Sequence, residues 1–231
     1  MQKSLDEKQI ALIFEEDKIQ KSFDSLYWSG KTIPPFCLYD VENCIVDYIF
    51  PVDANLGVNK ADFFITKSQN LNIKISKDGI ISNELLIRIK NGSQNNIFPG
   101  GLYKNYFQVS LPSRAYISEV TKNNTVVESY DVKIDTYKTI GFLVEIKPQE
   151  QSEIKIKYSL SQPLQKGDGV YQLIYQKQLG SKNSDLSIKI KVPENISIVN
   201  QNFSPIVKDG SIIYNTILTN DKIFILKLKN K

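Results

Sequence analysis

From Cys44 to the C terminus, apolar and polar residues alternate along a series of short segments of this 231-residue chain. The segment 71–75 alternates without a break, and Lys77-Asp78-Gly79 then signals a hairpin turn before the apolar segment 85–89. A period of two places successive side chains on opposite faces of a strand, so that one face can be buried while the other is solvated. Further strands of this kind are predicted at 106–111, 115–120, 126–134, 142–146, 154–160, 170–176, 186–192, 196–199, 212–218 and 223–228.

The lysines fit the same pattern. In the segments 154–158 and 188–192 they alternate with Ile, Val and Tyr, which indicates a solvated outer face and an apolar inner face. Many short strands, with turn residues between them and no intervening helix, are typical of a β-sandwich. The sequence therefore predicts a mainly β protein, an antiparallel immunoglobulin-like β-sandwich preceded by a short helical segment at the N terminus.

That N-terminal segment covers about the first thirty residues. Ser4 and Glu7 have the spacing of a capping box, and Asp17 is placed to cap a second short helix. Gly30 follows this helix and suits a left-handed backbone conformation, while Pro34-Pro35 prevents helix continuation. Two short helices are therefore predicted before the first strand.

The composition excludes several classes of active site. The chain contains no histidine, which removes Ser-His-Asp and Cys-His nucleophiles and histidine-ligated metals. An enzyme of this composition would depend on carboxylates, Lys, Tyr or a metal held by oxygen ligands. Glu42, Asp47, Glu128 and Asp135 are candidate members of a glycosidase carboxylate pair, but none lies in a recognisable motif, and all four are expected at the solvated surface.

The charge distribution bears on partners. Arg88 and Arg114 are the only arginines and the lysines are scattered, which argues against nucleic-acid binding. No segment approaches the roughly 18 consecutive apolar residues of a membrane span. The N-terminal residues mix acids with lysines and do not resemble a signal peptide. We therefore expect no membrane segment and no export signal within the chain, so export would need sequence upstream of Met1.

Small polar residues are concentrated in one loop, between the apolar segment that begins at Val46 and the apolar residues from Phe63. Carboxylate and amide oxygens in such a loop would suit Ca²⁺, but their spacing does not match a helix-loop-helix calcium loop. The alternative is a structural loop in which Asn and Asp side chains bond to nearby backbone and Lys60 pairs with Asp62. The residues of this predicted binding or structural junction are Asp53, Asn55, Gly57, Asn59, Lys60 and Asp62.

A second candidate site follows the turn at 99–101. Tyr103, Asn105 and Tyr106 would contact a ligand such as a sugar if the rings lay on one surface. In a strand, however, Tyr103 and Phe107 face one way and Tyr106 the other, so half of this set is expected in the core.

The two cysteines, Cys37 and Cys44, lie seven positions apart. They are too few for a tetrahedral zinc site in a chain without histidine. They form either a small disulfide in an oxidising compartment or two unlinked thiols, and the sequence leaves both interpretations open.

Several short blocks follow one another in a defined order. They are Trp28-Ser29-Gly30, Asp53–Asp62, Tyr103 through Pro112, Tyr158-Ser159-Leu160, and Tyr171-Gln172-Leu173 with Gln176-Lys177-Gln178. In this order they resemble the C-terminal half of the uncharacterised bacterial family catalogued as domain of unknown function 4012. The chain departs from the family pattern at Val58-Asn59, at Ala61 and at Gln108, where the family usually has Gly, Ser and Arg. A function that depends on that Arg is therefore not implied.

The resemblance implies an extracytoplasmic, membrane-tethered location with an anchor upstream of this chain. It assigns residues 1–66, the helical segment plus a strand, to the end of an upstream α/β domain. Residues 67–231 would form the sandwich, with a subdivision near 161–169. The alternative is that Met1 is the true start and the helices cover one end of the sandwich.

The resulting functional hypothesis is a non-enzymatic module of a bacterial surface protein. It would bind or scaffold other envelope proteins or glycans without a cofactor. The alternative is a carbohydrate-binding or envelope-glycan enzyme module that uses carboxylates or a bound Ca²⁺.

Overall fold

The computed structural model describes residues 1–208 and 210–231, and it is mainly β, with 52% of residues in strands and 8% in helices. The helices are α1 (Gln2–Asp6), α2 (Asp17–Ser25) and a 3-10 turn (Ala61–Phe64). The strands are β1 (Cys44–Asn55), β2 (Ile65–Ile75), β3 (Ile81–Asn91), β4 (Tyr103–Pro112), β5 (Tyr116–Lys122), β6 (Thr125–Val126), β7 (Asp131–Ile134), β8 (Tyr137–Ile146), β9 (Gln151–Ser159), β10 (Gly167–Tyr175), β11 (Ser184–Lys191), β12 (Ile196–Gln201), β13 (Ile206–Lys208), β14 (Ser211–Leu218) and β15 (Lys222–Asn230).

The strands form two open sheets. The seven-stranded sheet has the order β12-β15-β10-β1-β4-β8-β7, and the eight-stranded sheet has the order β13-β14-β11-β2-β3-β9-β5-β6. Strand β1 pairs with β10 in parallel, as does β2 with β11. The mainly β prediction is confirmed, but the antiparallel immunoglobulin-like prediction is wrong, because both sheets are mixed. Alternation shows which face of a strand is buried and contains no information on the direction of its partner.

The core lies between the two sheets. Strand β3 alternates buried and partly exposed residues along its whole length, as the period-two pattern predicted. One apolar cluster runs from Ile45 in β1 to Leu228 in β15, and it includes Ile49 and Ala61. Residues on both sides of position 66, the predicted domain boundary, therefore contribute to the same core.

The predicted subdivision near 161–169 coincides with the connection between β9 and β10. Within the described part of the chain, strands before and after this connection share a backbone ladder only at the parallel pairs β1–β10 and β2–β11. Each sheet thus contains some strands from β1–β9 and some from β10–β15, and one parallel ladder joins the two groups.

The short helical N-terminal segment is confirmed, although its details differ from expectation. Helix α1 begins after Met1 without a side-chain cap, so the capping box predicted at Ser4 does not form. Residue Glu16 precedes α2, and Asp17 is the first helical residue rather than the cap. Gly30 adopts the expected left-handed conformation, with a φ of 73°. None of the helices in the described ranges is long and apolar enough to span a membrane.

The chain between α2 and β1 lies on the outer face of the seven-stranded sheet. Two buried glutamines of β10 and its extension hold it there by bonding to its backbone as another strand would. Gln172 accepts from the Leu38 amide at 2.9 Å and donates to the Phe36 carbonyl at 2.7 Å. Gln176 accepts from the Ile33 amide at 3.0 Å, so both side chains satisfy backbone groups of a segment that has no strand paired with it.

Candidate functional site

The predicted junction loop begins where β1 ends. Both carboxylate oxygens of Asp53 are engaged, one by the Lys67 ammonium from β2 and the other by the Tyr103 hydroxyl from β4. The Gln178 side chain bonds to the Asp53 amide at 3.0 Å and to its carbonyl at 2.8 Å. Burial, followed by the nearby Asp53 charge, raises the pKa of Tyr103, so this hydroxyl remains a donor. Asp53 therefore ties three strands and the chain after β10 together.

The following residues bond mainly to one another. The Asn55 side chain accepts from the Gly57 amide at 2.9 Å and donates to the Asn59 carbonyl at 3.2 Å. It also donates to the Asp62 carboxylate at 3.3 Å. Such local side-chain bonds to the backbone fix a loop rather than offer ligands.

Lys60 contributes to this loop through its backbone rather than through the predicted ion pair. Its amide donates to the Pro99 carbonyl at 2.8 Å, which joins this loop to the chain before β4. The predicted Lys60–Asp62 ion pair is absent from the salt bridges formed by residues 1–208 and 210–231. The Lys60 side chain is exposed to solvent.

A cleft of about 270 Å³ opens beside this junction, lined by Asp53, Asp62 and Phe63 together with the chain from Gln178 to Ser184. Calcium requires six to eight oxygen ligands, whereas the Asp53 oxygens are already bonded to a cation and a hydroxyl. The described residues contain no group of three or more His, Cys, Asp or Glu side chains that could hold a metal. The geometry at this junction fits the structural interpretation of the loop.

The structure separates the second set of predicted site residues. Tyr103 and Asn105 are fully buried, and Phe107 belongs to the core, whereas Tyr106 faces outward. The Asn105 side chain accepts from the Ala54 amide at 3.0 Å and so stabilises the β1–β4 ladder. The expectation that half of this set lies in the core is confirmed, and Tyr106 is its accessible member.

Tyr106 borders a groove of about 530 Å³ between β4, β7, β8 and the chain from Thr125 to Asp131. Its hydroxyl donates to the Asp131 carboxylate. Gly141 on β8 lies under the ring, and a Cβ there would be 2.7 Å from the Tyr106 hydroxyl oxygen. The absence of a side chain at Gly141 thus lets the tyrosine lie across the strand. Tyr130 also lines the groove.

Sequence reasoning missed Tyr130, Asp131 and Gly141 as parts of this groove. The pairing of Asp131 with Gly141 across β7 and β8 brings them beside Tyr106. The alternation of β4 and β8 places Tyr106 and Gly141 on outer faces. The sequence did not show, however, that β7, which carries Asp131, pairs with β8.

The carboxylate of Asp47 is buried in the core rather than solvated, so the surface prediction for this residue is wrong. It accepts hydrogen bonds from Tyr171 at 2.8 Å, Tyr158 at 3.1 Å and Asn83 at 2.9 Å. Burial raises its pKa to about 6, while these donors oppose the shift. None of the salt bridges formed by the described residues includes Asp47. The other candidate carboxylates, Glu42, Glu128 and Asp135, are exposed as expected.

The two cysteines form a disulfide, with Cα atoms 6.3 Å apart. The bond joins Cys37, in the segment that covers the seven-stranded sheet, to Cys44 at the start of β1. It thereby fixes the end of that segment to the central part of the sheet.

The chain is similar in structure, at low sequence identity, to several solved proteins. A "putative nutrient binding protein" from Legionella pneumophila is 12% identical, with a TM-score of 0.50 over 79% of this chain and 72% of that chain. Native leukotriene A4 hydrolase from Saccharomyces cerevisiae is 9% identical, with a TM-score of 0.43 over 73% of this chain and 30% of that one. An M1 zinc metallopeptidase from Deinococcus radiodurans is also 9% identical, with a TM-score of 0.38 over 70% and 42%. Neither a protein-family model nor a curated protein matches the chain.

Proposed function

We propose that this chain is a non-enzymatic, extracytoplasmic β module of a bacterial surface protein, and that it binds a carbohydrate in the groove beside Tyr106. The observation that carries the proposal is the combination of two tyrosine rings and one carboxylate, Tyr106, Tyr130 and Asp131, in the same groove of about 530 Å³. Ligand sites usually combine an apolar or aromatic lining with a few polar groups that fix orientation.

The chemistry of the groove suits a sugar. Tyrosine rings supply apolar faces on which the C–H groups of a sugar ring can pack, and they keep a polar hydroxyl at one end. The Asp131 carboxylate accepts hydrogen bonds, as the Tyr106 hydroxyl already shows. Exposed apolar side chains of Val126 and Leu143 extend the lining on either side.

Two further observations support an extracytoplasmic binding role. Disulfides persist mainly in oxidising compartments, and Cys37 and Cys44 are bonded. The Legionella pneumophila protein of similar fold is a "putative nutrient binding protein", and a ligand-binding role for this chain agrees with that name. The family resemblance adds an upstream membrane anchor to this proposal, and a membrane helix encoded upstream of Met1 would support it.

The groove can be tested with Tyr106→Ala on a glycan array, followed by calorimetry with any glycan that binds. We expect Tyr106→Ala to lose at least about tenfold in affinity, because one stacking ring is removed. Tyr116→Ala is the matched control, since Tyr116 lies on β5, outside the groove, with 69% of its surface exposed. Equal loss in both variants, or no glycan bound by the unaltered protein, would contradict carbohydrate binding. Turnover of a bound glycan would favour an enzyme instead.

A further inference from the structure

Five large apolar side chains are exposed at the tips of two neighbouring loops. One loop joins β1 to β2 and the other joins β3 to β4. Monomeric proteins seldom expose such a concentration of apolar side chains without a use for them. The five, here called the apolar tip, are Leu56 (55% exposed), Val58 (106%), Phe63 (68%), Ile97 (69%) and Phe98 (69%).

The two loops form one supported unit. The Asn59 side chain of the first loop donates to the Leu102 carbonyl at 2.9 Å, next to the Lys60–Pro99 backbone bond. At the base of the second loop, the buried side chain of Asn91, the last residue of β3, donates to the Gly101 carbonyl at 2.8 Å. The apolar residues are therefore presented by loops that side-chain hydrogen bonds fix at their bases.

Three lysines lie next to residues of the apolar tip. The exposed Lys60 lies between Val58 and Phe63 in the chain, and the Lys182 ammonium lies 4.8 Å from the centre of the Phe63 ring. Lys104 adjoins Leu56, whose amide bonds to the Lys104 carbonyl at 2.7 Å. The acids nearby are Asp53, which is paired with Lys67, Asp62, which accepts from Asn55, and Glu145, which is 3.7 Å from Lys104.

We propose that the apolar tip inserts into the surface of an anionic lipid bilayer, with Lys60, Lys104 and Lys182 near the phosphate groups. Protruding apolar side chains on fixed loops suit a soft interface that deforms around them, and lysines next to them add attraction to anionic headgroups. The polar junction at Asp53–Asp62 then has a use, since it holds these loops in place. This proposal is independent of the carbohydrate site proposed beside Tyr106.

The experiment is flotation with vesicles of equal parts phosphatidylcholine and phosphatidylglycerol. The unaltered protein should float with them, and Val58→Ser together with Ile97→Ser should reduce binding by about tenfold or more. The matched control is Val199→Ser together with Ile206→Ser, which changes residues that are 63% and 58% exposed on β12 and β13. This control should bind as the unaltered protein does.

A charge variant gives a second measurement that does not depend on the apolar substitutions. Lys60→Gln should weaken binding to the mixed vesicles and leave the weaker binding to pure phosphatidylcholine vesicles unchanged. Lys133→Gln, at an exposed position on β7, is its control and should have no effect. Failure of the unaltered protein to float, or equal flotation of the tip and control variants, would overturn the proposal. So would a tip variant that alters only self-association in gel filtration.

Discussion

At the scale of single residues, Asp47 is a fully buried carboxylate that is held by hydrogen bonds. Its donors come from both sheets, with Tyr171 in the seven-stranded sheet and Asn83 and Tyr158 in the eight-stranded sheet. A buried carboxylate without a cation is costly unless its oxygens are well bonded. Asp47 therefore links the two sheets through a buried polar centre.

Asp47→Asn should change how stability depends on pH. The folded-state pKa of about 6 is above the ordinary aspartate value of 3.8, so the native state binds the proton more tightly than the unfolded chain does. Stability from this group is thus fully present below 3.8 and falls as the pH rises to about 6, by about 3 kcal/mol. In urea titrations, Asp47→Asn should gain stability relative to the unaltered protein across that window. Parallel pH profiles for the two proteins would contradict the assignment.

The sequence pointed to Asp47 and to the residues of Asp53–Asp62 as candidates, but it did not show which groups would surround them. Ile45, Asp47 and Ile49 occupy alternate positions, so the pattern already placed Asp47 on the inner face of its strand. The general tendency of carboxylates to lie at the surface led to the opposite prediction. At Asp53–Asp62 the structural alternative, which the sequence had also offered, fits the observed bonds, since Asn and Asp next to a turn bond locally.

At the scale of elements, α1 and the chain after it are fixed by a buried ion pair. Lys8 and Asp221 are 2.7 Å apart, and their side chains are only 4% and 6% exposed. Asp221 also accepts from the Lys177 amide at 2.8 Å, and the Lys177 ammonium donates to the Glu7 carbonyl at 2.6 Å. The N-terminal segment is therefore attached to the connections that follow β10 and precede β15.

Lys8→Met should destabilise the protein by about 3 to 5 kcal/mol, because it leaves the Asp221 carboxylate buried without its cation. Lys3→Met is the control: the Lys3 side chain is 85% exposed and lies 3.9 Å from Glu7, so the expected change is below about 0.5 kcal/mol. Chemical denaturation of both variants measures the difference. Similar small effects in the two variants would show that the buried pair contributes little.

Long, regular strands were predicted well, and short edge strands were not. The segment 126–134 was predicted as one strand, but it contains β6 and β7, which belong to different sheets. Strand β13 and the 3-10 turn were not predicted. Edge strands such as β7 have no buried face to impose alternation, since all four of its residues are exposed.

At the scale of the whole molecule, the position of β1 decides where the chain can be divided. It lies between β10 and β4 in the seven-stranded sheet, and its residues Ile45 and Ile49 belong to the shared core. A division at the predicted boundary, residue 66, would remove β1 from the sheet. The backbone N–H and C=O groups of β10 and β4 that face β1 would then lose their partners.

A shortened chain of residues 67–231 should therefore fail to fold cooperatively, because β10 and β4 would both lose a partner. Residues 44–231, which retain β1, provide the comparison and should keep a β-type circular dichroism spectrum with a lowered Tm. Thermal unfolding followed by circular dichroism distinguishes them. A sharp transition for residues 67–231 would show that the strand is dispensable and would support a domain boundary there.

The two parallel ladders also bear on the order in which the chain can fold. Cys44 in β1 aligns with Val170 in β10, and Lys74 in β2 aligns with Lys191 in β11. Contacts between residues so far apart in the chain form slowly, because a long loop must close first. Until β10 and β11 arrive, β1 and β2 are open edges that can pair with another chain. During synthesis from the N terminus, both edges therefore stay unpaired until residues 167–191 are available, and we expect β1 and β2 to be the strands most exposed to mispairing during folding.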